Sequence, residues 1–139
     1  MSRRLPHIVI WTTALAWVGF AIWLGSNPRA LPSAFGVATP TPAMLTEVRA
    51  FYGGVEGAIA IVMLVLWWRG ELVASLLIGG MPLIGSATGR CLGLMLDGFS
   101  ALHLGFASLE CIGAVFCLVG CLIISRKTEV CQSDDLAKS

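Results

Sequence analysis

The sequence predicts an all-α integral membrane protein, four helices bundled as two hairpins with both termini on the cytoplasmic side. Three observations carry that reading. Apolar residues fill 57% of the 139 positions and charged residues only 12%, about half the charged share of a soluble domain. Mean hydropathy is +0.86. Four apolar runs approach or exceed the roughly 18 to 20 residues that cross a bilayer. The net charge of +1 points to no nucleic-acid partner. The expected surroundings are the lipid bilayer of the inner (cytoplasmic) membrane, and either other membrane subunits or further copies of this chain.

The first run, Ile8–Gly25, follows Arg3-Arg4 and carries Trp11, Trp17 and Trp23. It is longer than a secretory signal core, so it reads as a retained anchor. Pro28, Pro32, Pro40 and Pro42 then break regular helix over Pro28–Thr46, which reads as a Pro-rich external loop. The second and third runs, Val48–Trp68 and Leu72–Leu96, are separated only by Arg69-Gly70-Glu71 and form a tight hairpin. The fourth run is Ala101–Ser125. Residues 1–127 thus make the membrane domain and 128–139 a polar C-terminal tail. Cytoplasmic termini place Arg3, Arg4, Arg69, Arg126, Lys127 and Lys138 inside and leave Arg29 outside, with Arg49 and Arg90 near the outer membrane edge, an asymmetry the positive-inside rule favours.

Helical periodicity gives each span an inward face. On the second, Arg49, Gly53, Glu56 and Ala60 share a stripe, with Gly57 beside them; on the fourth, His103, Ala107, Glu110, Ala114, Cys117 and Cys121 do. Small and polar residues face inward and large apolar ones outward, as lipid requires. The third span carries the ladder Gly85-x-x-x-Gly89-x-x-x-Gly93, a pattern that brings helices close. Pro82 in the same span predicts a kink.

The chemistry-bearing residues are Arg49, Glu56, Arg90, Asp97 and Glu110, with His103 close by. Ionisable groups in a membrane span persist for function or for assembly. Glu56 lies roughly 12 Å along its helix, near the bilayer centre, and Glu110 slightly deeper in its own. Each Arg is expected to pair with one of the three carboxylates. The cluster reads either as an outward-facing polar pocket or as an ion-pair network that locks the helices. Aligning Glu56 with Glu110 also superposes Arg49 on His103 and Tyr52 on Phe106, a weak internal repeat.

The five cysteines show no C-x-x-C pairing, and neither His7 nor His103 has a second ligand at metal spacing, so no metal or cofactor is expected. No phosphate-binding Gly loop, nucleophile elbow or His-Glu-x-x-His motif is present. The leading functional expectation is a non-enzymatic accessory or scaffold subunit that self-associates or docks on a larger complex. Its rival is a binder or transporter of a small or lipid-like molecule. A third class is an enzyme on a lipid-like substrate, with Glu56 or Glu110 as acid–base group.

Two segments, RAFYGGVEGAIAI (Arg49–Ile61) and GRCLGLMLDG (Gly89–Gly98), with Glu110 in the last span, resemble a bacterial family of small four-helix inner-membrane proteins known only as a domain of unknown function. By that resemblance Arg49, Gly53, Gly54, Arg90, Asp97, Gly98 and Glu110 are the family-type positions. The resemblance implies a topology and a site but no activity.

Overall fold

The computed structural model describes residues 4–136, with side chains to Ser125. It is helical, with no strand among the described residues. Helix α1 is Leu5–Ser26, α2 Ala30–Ala34, α3 Pro42–Val48, α4 Glu56–Trp68, α5 Leu72–Leu96 and α6 Ala101–Leu136. A π-helical stretch, Arg49–Val55, joins α3 to α4 into one continuous rod. Four segments are long and apolar enough to cross a membrane: Leu5–Ser26, Pro42–Trp68, Leu72–Leu96 and Ala101–Ser125. Their outer faces are apolar and exposed, from Ile8 and Leu15 on α1 to Leu118 and Leu122 on α6.

The Pro-rich loop is shorter than its sequence suggests. Pro32 sits in the first turn of α2 and Pro42 opens α3, positions where a helix has N–H groups with no partner to lose. The Thr41 side chain caps α3, accepting from the Met44 N–H at 3.3 Å. At the other end of the bundle, α4 closes on Gly70, whose φ of 82° is left-handed. The Gly70 N–H bonds the Trp67 carbonyl and the Glu71 N–H bonds that of Leu66, a Schellman cap that turns the chain straight into α5. Gly98, with φ 112°, follows the end of α5 and turns the chain toward α6. Helix α6 continues beyond Ser125 to Leu136. The side chains of the expected tail 128–139, and those of Arg3, Arg126, Lys127 and Lys138, lie outside the described residues.

The apolar core occupies the end of the bundle that holds the chain's N-terminus. Val9, Ile10 and Ala14 of α1 meet Met63, Leu76 and Cys117 there. Ser75 is fully buried and donates to the Met63 carbonyl at 2.8 Å, fixing α5 against α4. His7 accepts from Trp67 Nε1 at 3.0 Å, with Trp11 edge-on to the same indole. The helices touch through glycine in several places. A Cβ placed on Gly53 would lie 3.2 Å from Gly25 Cα, and one on Gly57 would lie 3.7 Å from Ala21 Cβ. Gly113 and Gly120 of α6 receive Leu83 and Leu76 of α5. Gly79 and Gly80 carry the close approach of α5, against Met63 and Cys117.

The ladder expected to do this is elsewhere. Gly85 and Gly89 have no neighbour within 4 Å of a built Cβ, and Gly93 faces only Asp97. The physical reason is the face they occupy. Gly85 and Gly89 lie on an exposed face of α5, turned away from the face on which Ser86 and Arg90 meet α6, so no backbone comes near them.

Candidate functional site

The opposite end of the bundle is polar, and α5 and α6 build it. Ser86 and Arg90 lie one turn apart on α5, facing Glu110 and His103, which lie two turns apart on α6. Arg90 Nε reaches both Glu110 oxygens at 3.0 Å, and the Ser86 hydroxyl donates to Glu110 Oε1 at 2.7 Å. Arg90 Nη1 lies 3.2 Å from His103 Nδ1. A guanidinium has no acceptor, so His103 Nδ1 accepts and the ring's proton sits on Nε2. The guanidinium also lies 4.9 Å from the centre of the Phe106 ring, within cation–π range. The paired side chains are only 18% and 15% exposed, so solvent screens this contact little.

The loop between the first two spans reaches over this end. Phe35, just after α2, stacks on His103 with ring centres 5.0 Å apart and planes 25° from parallel. The imidazole is therefore held by Phe35 on its face and by Arg90 at its edge.

Beside this network is a cavity of about 410 Å³. Its wall is Tyr52 from the second span, Gly89, Arg90, Gly93 and Asp97 from α5, and His103 from α6. Asp97 is exposed at the rim and has no ion pair among the described residues.

The six expected site residues thus separate. Arg90, His103 and Glu110 form one bonded group. Asp97 shares the cavity with two of them. Glu56 lies on the inner side, close enough to Glu110 for their charges to interact; its Oε2 is buried with no hydrogen-bond partner among the described residues. Arg49 is exposed and makes no ion pair among the described residues, contrary to the expected pairing. The π-helical stretch explains that difference. Its wider turn holds, in effect, one extra residue, which rotates the preceding α3 by about 100° relative to α4. Arg49 and Glu56, predicted on one stripe, consequently point different ways. The Glu56 N–H bonding the Phe51 carbonyl, five residues back, marks the widened turn.

Sequence reasoning passed over Ser86 and Phe35. Ser86, one turn before Arg90, carried a legible signal; Phe35 in the loop carried none. His7, a metal candidate by residue type, is the acceptor for Trp67, and the described residues include no group of three His, Cys, Asp or Glu placed to hold a metal ion.

These features define a small multi-span helical membrane protein with a polar pocket near one end. The chain belongs to the family described as a domain of unknown function (DUF4345), whose profile matches residues 6–123. No curated protein and no solved structure matches it significantly.

Proposed function

We propose that this is a multi-span protein of the inner (cytoplasmic) membrane that binds a small or lipid-like molecule in a polar pocket opening away from the cytoplasm. The observation carrying this is the cavity of about 410 Å³ in which Asp97 retains unused hydrogen-bonding capacity. A concave site with a few convergent polar groups is the usual form of a ligand site. Binding is favoured over catalysis because the acid–base candidates, Glu56 and Glu110, are not among the residues that line it. Native mass spectrometry of protein released from its own membranes tests the reading. A bound small molecule is expected on the wild type and is expected to be lost from Gly89→Leu, which fills the cavity from a position with open space around it.

A second reading, the accessory subunit that self-associates or docks, draws support from the same helix: Gly85 and Gly89 are exposed and meet no other helix among the described residues. Discrete oligomers carrying no bound small molecule would favour it and sink the first.

Charge sets the orientation. Arg4 and Arg69 sit at one end of the bundle, with Arg3 beside Arg4 in sequence and Arg126-Lys127 following the last span, against Arg29 and Arg49 toward the other; that balance favours both termini in the cytoplasm. In a background without the native cysteines, Thr41→Cys is expected to react with an impermeant thiol reagent from outside and Gly70→Cys is not. Reaction of the latter alone would invert the protein and turn the pocket to the cytoplasm.

A further inference from the structure

We infer that the pocket takes the headgroup of a phosphoethanolamine-type lipid, with its phosphate on Arg90 and His103 and its primary ammonium on Asp97; the inference rests on the pocket reading above. Arg90 commits Nε to Glu110 and Nη1 to His103, which leaves the N–H groups of Nη2 without a partner among the described residues. His103 Nδ1 accepts from Arg90, so its Nε2–H is a second donor. Both suit phosphate oxygens. Asp97 is acceptor-only and exposed at the rim of the same cavity.

The helix ends reinforce this division. Asp97 stands at the C-terminus of α5, where the carbonyl ends favour a cation, and His103 lies in the first turn of α6, where the N–H ends favour an anion. The Asp97 carboxylate leans back along α5 to Gly93, where an added Cβ would meet its Oδ2 at 3.6 Å, so it stands about one turn from the level of Arg90. A two-carbon linker with a charge-assisted hydrogen bond at each end spans a separation of that order. A headgroup with only negative charge would set its phosphate near an uncompensated Asp97. One with only positive charge would face Arg90.

The glycine ladder argues for a lipid rather than a free solute. Gly89 lines the cavity, and Gly85, one turn deeper, is exposed with nothing beside it. With no side chain at either position this face of α5 is left open beside the pocket, and an acyl chain would lie along it.

Purified protein titrated with lipid and read by native mass spectrometry tests this. Phosphatidylethanolamine is expected to bind at least about tenfold tighter than phosphatidylglycerol, the effect of one charged hydrogen bond. Phosphatidylcholine, whose quaternary nitrogen donates no hydrogen bond, is expected to fall with phosphatidylglycerol. Asp97→Asn is expected to abolish the preference while leaving the melting of lipid-free protein unchanged, since Asp97 has no ion pair to lose among the described residues. Equal binding of all three lipids, or an unchanged preference in Asp97→Asn, overturns the headgroup assignment. Soluble phosphoethanolamine binding as tightly as the lipid overturns the lipid source. If none of these binds while another small molecule is lost from Gly89→Leu, the headgroup assignment fails and the pocket reading survives. If no ligand of any kind is found, both fail.

Discussion

Replacing Arg90 with Met is expected to lower stability by about 3 kcal/mol, the low end of what stranding one partner of a buried ion pair costs. The low end applies because Ser86 still donates to Glu110 at 2.7 Å. Removing that lesser bond alone, as Ser86→Ala, is expected to cost only about 0.6 kcal/mol, the average for a hydrogen bond between membrane helices. Arg29→Met, at an exposed loop position, is expected to fall within about 0.5 kcal/mol of wild type. The informative variant is the double one. Arg90→Met with Glu110→Leu removes both charges and refills the space, so it is expected to recover most of the loss. Thermal melting in one detergent, with Glu110→Leu as the second single variant, ranks these five proteins. A double variant as unstable as the sum of the two singles would mean that Arg90 acts through something other than Glu110, and the Arg90–Glu110 network would be wrong. Glu56→Gln provides a control from the same depth. Glu56 Oε2 has no hydrogen-bond partner to lose among the described residues, so this change is expected to melt at or above wild type.

How much of this was legible in the sequence depends on whether local periodicity was preserved. The spans were visible because apolar runs in lipid need no tertiary context. The inward face of α6 was visible too: Ala107, Ala114 and Cys117, named from spacing alone, are all at most 5% exposed. The stripe on the second span failed above Gly53 because a π-turn shifts the phase by a residue, and a count at 100° per residue cannot see it. Gly53-Gly54 within that turn is the one hint, since paired glycines ease an irregular helix. The partners of the charges were less legible than the charges themselves. Arg90 had three carboxylates to choose from, and the choice of Glu110 comes from Ser86 and His103 flanking it in space. The loop's contribution through Phe35 is a contact between distant parts of the chain, and no local pattern encodes it.

Glycine shows the same limit in energetic form, because a small residue marks a helix contact only where a helix arrives. Gly80→Ala is expected to destabilise the protein by about 1 to 3 kcal/mol, the usual cost of overpacking. A Cβ at Gly80 would lie 2.8 Å from Cys117 Cβ. Both atoms are fixed to their backbones, so α5 and α6 have to move apart and take their other contacts with them. The helix-propensity gain of about 0.5 to 1 kcal/mol from replacing glycine does not offset that. At Gly79 the obstacle is the end of the Met63 side chain, which can swing aside, so Gly79→Ala is expected to cost less. At Gly85 there is no obstacle within 4 Å, only the propensity term remains, and Gly85→Ala is expected to melt at or slightly above wild type. The repeating ladder would have put the largest loss at Gly85 and the smallest at Gly80, so the melting order of the three alanine variants decides between the two accounts. A companion change checks the cause. Cys117→Ala keeps the offending Cβ and is expected not to rescue Gly80→Ala, whereas Cys117→Gly removes it and is expected to restore part of the lost stability. Rescue by Cys117→Ala would trace the loss to the thiol, and the backbone-to-backbone account of this contact would then fail.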